Sequence, residues 1–222
     1  MKKYVIIVAG GTGTRMNNVI PKQFIELKGK PVLLHTAQKF INAIPGINLI
    51  IALPKKLHLE WSELCDKHNF KFSHQVIEGG ETRYHSVKNG LSLVPENCIV
   101  GVHDAARPLV TELLIINLFE TAQQKGSACP AIPVTETIRE VVDGNNRSVD
   151  RTKYFIIQTP QCFQSSLLKK AFLLPYQSTF TDDASVLEAT GEKINLIDGD
   201  RNNIKITTAQ DLIIAEVLIQ KQ

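Results

Sequence analysis

The chain has 222 residues, 43% of them hydrophobic and 21% charged, with a formal net charge of +3. That length and balance suit one α/β domain with a sizeable core, and the mild positive charge fits an anionic ligand. A dense Lys/Arg stripe with interleaved aromatics is missing, which excludes nucleic acid as the expected partner, and no run approaches the roughly 18 apolar residues of a membrane span.

Met1-Lys2-Lys3 precedes an apolar run over residues 4–9. At about six residues this run is too short for the apolar core of a secretory signal, so it reads as a buried first strand and the expected location is cytoplasmic. Similar runs at residues 47–53, 73–77, 98–103 and 128–134 are expected to be strands covered on both faces. Residues 31–42, 57–68, 83–94 and 111–125 carry helical spacing between them, with Pro31 suited to a first turn and Thr111 to a cap. The alternation predicts an α/β fold: a Rossmann-like, doubly wound, mostly parallel sheet with helices on both faces. Ligands of such sheets bind outside the carboxyl ends of the strands, so the loops after each strand matter most.

The pattern changes after residue 134. Residues 136–142 and 149–157 read as two strands around the turn formers Asp143-Gly144-Asn145-Asn146. An isolated hairpin is marginal in water, so this β-arm, at about 136–157, predicts a partner surface, most simply a second copy of the chain. Helix, strand and helix follow at residues 183–190, 193–197 and 207–220. Without an internal repeat or linker, residues 1–222 are expected to form a single domain with an arm. Cys65, Cys98, Cys129 and Cys162 lie far apart, which predicts buried free thiols and not a disulfide framework or zinc site.

The first candidate site is Ala9-Gly10-Gly11-Thr12-Gly13-Thr14-Arg15-Met16, directly after the first strand. Glycines let the backbone approach a ligand, and exposed N–H groups can cradle phosphates. Met16 stands where a dinucleotide fingerprint has its third glycine, and no Gly-Lys-Ser/Thr closes a P-loop, which leaves a plain Gly-rich turn as the alternative. Pro21-Lys22-Gln23 follows, so Arg15 and Lys22 set two cations just beyond the glycines. Phosphoryl and nucleotidyl transfer depend mainly on positioning and on neutralising developing negative charge, which Arg does with a fork and Lys with a point charge. Asp104 ends a buried strand, where it is either functional or the ion-pair partner of Arg107. His103 reads as a packing residue. Asp182 and Asp183 could bind a metal as a pair, but their place ahead of a helix suits capping better.

Taken in order, these segments resemble the cytidylyltransferases that act on polyol phosphates. The resemblance rests on Ala-Gly-Gly-x-Gly-x-Arg-Met with Pro21-Lys22-Gln23-Phe24, Gly79-Gly80-Glu81-Thr82-Arg83 with Ser86, and His103-Asp104-Ala105-Ala106-Arg107-Pro108. Gln158-Thr159-Pro160-Gln161, Thr181-Asp182-Asp183-Ala184-Ser185 and Asn203-Ile204-Lys205-Ile206-Thr207 extend it over nearly the whole chain. It implies CTP and a sugar-alcohol phosphate as substrates, Mg2+ as cofactor and a homodimer joined through the arm. By the same resemblance Ala9, Gly10, Gly11 and Gly13 line the CTP phosphates, and Arg15 and Lys22 stabilise the transition state at the α-phosphorus. Gly80, Arg83 and Ser86 fall near cytosine and ribose. Asp104 serves CTP, the sugar phosphate and the metal, with Arg107 on the sugar phosphate. Thr137, Arg151, Thr159, Thr181 and Lys205 surround the polyol phosphate, Arg151 and Lys205 positioning it for attack, while Thr137 and Arg151 reach the partner's site. Glu81 and Glu136 stand where the family often has Asp. Ala105, Ala106 and Ser185 favour methylerythritol 4-phosphate over ribitol 5-phosphate as the acceptor. A non-catalytic nucleotide-binding dimer is the alternative of another class, against which the presence of both Arg15 and Lys22 argues.

Overall fold

The structure is a computed structural model that describes residues 1–10 and 21–221. In chain order its strands are β1 (Lys3–Val8), β2 (Glu26–Leu27), β3 (Lys30–Pro31), β4 (Asn48–Leu53), β5 (His74–Glu78) and β6 (Ile99–Asp104). They continue with β7 (Ser127–Pro133), β8 (Arg139–Val142), β9 (Asn145–Ser148), β10 (Phe155–Ile157), β11 (Gln161–Gln164) and β12 (Leu196–Asp198). The helices are α1 (Val32–Ala43), α2 (His58–Lys67), α3 (Arg83–Leu91), α4 (Glu112–Lys125), α5 (Ser165–Ala171), α6 (Asp183–Glu188) and α7 (Ala209–Leu218).

The main sheet runs β10-β7-β11-β6-β1-β4-β5, with β12 also paired to β7. Strands β6, β1, β4 and β5 are mutually parallel and form the nucleus that the alternating pattern predicts. Their apolar runs are continuous because successive side chains feed two different cores. Val5, Ile7, Leu49 and Ile51 face one core with Leu33 and Phe40 of α1, Trp61 of α2 and Ile115 and Phe119 of α4. Ile6, Ile50, Val100 and Val102 face the other, with Tyr84 and Val87 of α3, Leu168 of α5 and Leu187 of α6. Each such fully buried aliphatic side chain contributes about 1.5–3 kcal/mol relative to exposure. A third cluster joins Leu27, Val32, Leu109 and Ile206 to Ala215 of α7, which ties the last helix to the β2–β3 ribbon.

Several parts differ from the sequence reading, among them the β2–β3 ribbon and helix α5, which it does not contain. Strand β11 was not anticipated: it inserts antiparallel between β6 and β7, so the sheet is mixed on that side. The expected hairpin is also shorter. Strands β8 and β9 pair antiparallel through the two-residue turn Asp143-Gly144, whose φ values of 49° and 79° suit the twist of a tight hairpin. The second expected strand, residues 149–157, is instead divided. Asp150 accepts a hydrogen bond from the backbone N–H of Thr152 and starts a 3-10 turn at Arg151–Lys153. The chain then rejoins the main sheet as β10, antiparallel to β7.

Candidate active site

The parallel register sets four strand ends on one edge of the sheet. Val8 pairs with Asp104, Ala52 with Val8, and Leu53 with Glu78, so Ala9-Gly10, Gly79-Gly80 and Asp104 leave the sheet side by side. Between them lies a cavity of about 220 Å³ whose wall includes Gly10, Lys22, Gly80, Arg83, Asp104 and Lys205. Gly80 turns closely against α3: a Cβ there would stand 2.3 Å from His85 Cβ. Ser86, buried at 2% exposure, fixes this turn, since its hydroxyl accepts from Gly80 N–H at 3.0 Å and donates to the Thr82 carbonyl at 3.1 Å.

Asp104 is the electrostatic centre. Lys205 Nζ approaches its Oδ2 at 2.8 Å, Arg107 Nε the same oxygen at 3.6 Å, and Arg83 Nε its Oδ1 at 3.4 Å. Burial pushes this carboxyl up, but Arg83, Lys205 and Arg107 together hold it below the ordinary carboxylate range. Arg83 also donates from Nη2 to Asp183 at 2.7 Å, and the two carboxylates raise the pKa of its guanidinium although burial opposes them. Arg107 aims Nη1 at the carbonyl of Asn203 at 2.7 Å, and Ile206 N–H bonds to the Ala106 carbonyl at 2.8 Å. Those two bonds hold the segment that presents Lys205.

Behind Asp104 a hydrogen-bond chain fixes its backbone. Asp104 N–H donates to Thr159 Oγ1 at 3.1 Å, and the Thr159 hydroxyl lies 3.1 Å from His103 Nδ1. His103 Nε2 lies 3.1 Å from the Arg107 carbonyl, which can only accept, so Nε2 carries the proton and Nδ1 accepts from Thr159. Burial pulls the His103 pKa down to about 3. The native state therefore refuses a proton that the unfolded chain takes up below about pH 6.5. Stability from this group is complete above that value and is lost as pH falls toward 3, by at most about 1.4 kcal/mol per pH unit. Urea midpoints measured from pH 7 to 4 should fall more steeply for the native chain than for His103→Gln; equal slopes would clear His103 of this role.

The structure brings Ala9, Gly10, Gly80, Arg83, Ser86, Asp104 and Lys205 to one edge, together with Lys22, whose Nζ donates to the Ile206 carbonyl at 3.4 Å. Gly11, Gly13 and Arg15 lie outside the described residues. The Ser86 and Thr159 hydroxyls and the Arg107 guanidinium also hydrogen-bond within the protein, and Ser86 lies in the cavity wall as well. Thr137, Arg151 and Thr181 are exposed and are not part of the cavity wall, Arg151 being bonded to the Thr135 carbonyl. Asp182 caps α6 in a reciprocal pair with Ser185, as its position suggested. The partnership of Asp183 with Arg83 was missed, because a contact between residues 100 apart leaves no spacing signal. Gln158 and Gln161 carry no role in the sequence reading beyond their motif. Gln158 Nε2 donates to the Asp200 carbonyl, and Gln161 holds both Asp182 Oδ2 and Ala184 N–H at the start of α6.

A cation-lined cavity beside Gly10 and the Gly79-Gly80 turn, at the carboxyl edge of a mostly parallel sheet, defines an α/β protein suited to a phosphate-bearing ligand. Comparison with known proteins narrows this class. The family model described as IspD, 2-C-methyl-D-erythritol 4-phosphate cytidylyltransferase, matches residues 3–221, and the chain belongs to that family. It is 50% identical over 221 residues to the 2-C-methyl-D-erythritol 4-phosphate cytidylyltransferase of Azobacteroides pseudotrichonymphae, covering 98% of this chain and 99% of that protein. The solved structure of the Francisella tularensis enzyme of the same name superposes with a TM-score of 0.80 at 33% identity, over 98% of this chain and 100% of that one. The bifunctional IspDF of Campylobacter jejuni matches with a TM-score of 0.79 at 31% identity, over 96% of this chain but only 54% of that one.

Proposed function

We propose that this chain transfers the cytidylyl group of CTP to 2-C-methyl-D-erythritol 4-phosphate, giving CDP-methylerythritol and pyrophosphate, a step of non-mevalonate isoprenoid biosynthesis. Family membership across residues 3–221 carries this reading, and the gathering of Lys22, Arg83 and Lys205 at a glycine-lined edge supports it. A phosphate oxygen of the acceptor attacks the α-phosphorus of CTP. One P–O bond forms, the bond from the α-phosphorus to its bridge oxygen breaks, and pyrophosphate leaves. The attacking oxygen is already ionised, so no general base and no covalent enzyme intermediate are needed. Gly10 and its neighbours receive the triphosphate, Lys22 and Arg15 neutralise charge that develops at the α-phosphorus, and Lys205 orients the acceptor phosphate.

Among the described residues no three metal-ligating side chains gather. Among the described residues Asp104 Oδ1 meets Arg83 Nε at 3.4 Å, and Glu81 is a second carboxylate in the cavity wall. One or two carboxylates, with substrate phosphates supplying the rest, fit magnesium. Asp104 would hold it, and an ion bound there would neutralise charge on the phosphate oxygens.

The reading extends to one cytoplasmic domain that works as a homodimer. Val141 and Val142 on the arm, with Phe155 and Ile156 beside it, expose large apolar side chains and support an interface there. Thr137 and Arg151 then serve the partner's cavity. No helix among the described residues is long and apolar enough to cross a membrane. The test is pyrophosphate release from CTP and magnesium, offered methylerythritol 4-phosphate and ribitol 5-phosphate separately. Release with the first alone is expected. Release with ribitol 5-phosphate alone overturns the acceptor, and silence with both overturns the activity and favours a nucleotide-binding dimer.

A further inference from the structure

Asp183 stands one residue inside α6, behind the capping residue Asp182. Its side chain is 1% exposed and takes no part in the cap; its Oδ2 accepts from Arg83 Nη2 at 2.7 Å. The same guanidinium reaches Asp104 Oδ1 through Nε at 3.4 Å, and Asp104 Oδ2 meets Lys205 Nζ at 2.8 Å. Asp183, Arg83, Asp104 and Lys205 thus form one alternating line of charge, from the protein interior to an ammonium that is 40% exposed on the cavity wall. The buried end is pinned, because Gln161 grips α6 on either side of Asp183, at Asp182 Oδ2 and Ala184 N–H. Capping needs only Asp182, so the capping role does not account for a second, buried carboxylate, whose desolvation is costly.

A guanidinium has five N–H donors in a fixed plane and pairs best with a carboxylate through two of them. Here it is divided, one nitrogen to Asp183 and another to Asp104. Without the charge on Asp183 the fork turns toward Asp104, which then has less to offer Lys205. We propose that Asp183 is a positioning residue for cytidylyl transfer: through Arg83 it sets how Asp104 holds Lys205, and so where the ammonium meets the acceptor phosphate. This rests on the function proposed above. Asp183 itself touches no substrate.

Asp183→Asn keeps the shape and removes the charge. It is expected to lower kcat/KM for methylerythritol 4-phosphate by about 10- to 100-fold, the scale of a 1 Å misplacement. In a Lys205→Ala background the same substitution is expected to cost less than about 3-fold, because the group it positions is gone. A loss of equal size in both backgrounds means a general loosening of α6 and overturns the proposal. Should Asp183→Asn fail to fold, Asp183→Glu goes through the same cycle with a smaller expected loss, and additivity there overturns it equally. A native chain without turnover sinks the proposed reaction instead. The positioning claim is then decided by a crystal structure of the variant, in which Lys205 Nζ should leave Asp104 Oδ2 beyond the ion-pair limit of about 4 Å. An ammonium still at 2.8 Å overturns it.

Discussion

Lys22→Ala is expected to lower kcat for pyrophosphate release by about 10²- to 10³-fold, the usual cost of removing one preorganised charge-stabilising group. Gln23 and Phe24 are buried, and the Phe24 ring stacks on Trp61 with centroids 6.2 Å apart, so the apolar side of the turn is anchored independently of the lysine. That anchor directs Lys22 to the cavity wall, with Nζ 3.4 Å from the Ile206 carbonyl, next to the segment that bears Lys205. Truncation therefore removes charge from the cavity while the packing of Phe24 remains. The melting temperature should move by only a few degrees, as for a substitution costing about 1 kcal/mol. Steady-state kinetics beside a thermal melt separate the two effects. Near-native turnover would remove Lys22 from the mechanism, and a large drop in melting temperature would make its loss a folding effect.

The parallel nucleus was legible because burial on both faces forces continuous apolar runs, and β1, β4, β5, β6 and β7 begin and end within a residue of where those runs lie. Thr111 does cap α4, accepting from Leu114 N–H at 3.3 Å. Strand β11 escaped notice for the opposite reason. It has four residues, glutamine at both ends, and only Cys162 and Phe163 to bury. Its partners, β6 and β7, supply the hydrogen bonds that make it a strand, and a linear pattern does not contain them. The site divides in the same way. Gly10, Gly79-Gly80 and Asp104 could be placed from sequence because a strand end dictates where the chain emerges. The direction of the Thr159, Ser86 and Arg107 side chains could not, because each is settled by a remote backbone group: Asp104 N–H, Gly80 N–H and the Asn203 carbonyl. These hydrogen bonds help frame the cavity edge.

Asp104→Ala should abolish measurable turnover and destabilise the fold by about 3–5 kcal/mol, the cost of breaking a buried ionic cluster from one side. Arg83 keeps Asp183 as a partner, but Arg107 is left with its Nε buried and no carboxylate, and Lys205 loses its 2.8 Å contact. The sign of the pH dependence gives a second check. The folded pKa of Asp104 lies below its unfolded value near 3.9, so its contribution is present above that value and disappears as pH falls through the lower folded value. The stability gap between native and variant proteins should thus stay flat from about pH 8 to pH 5 and close only below about pH 4. Urea titrations across that range test it. A gap that shrinks between pH 7 and 5 would assign the effect to a histidine. Absence of a gap at neutral pH would mean that Arg83, Arg107 and Lys205 find other partners, and Asp104 would then be only a substrate contact.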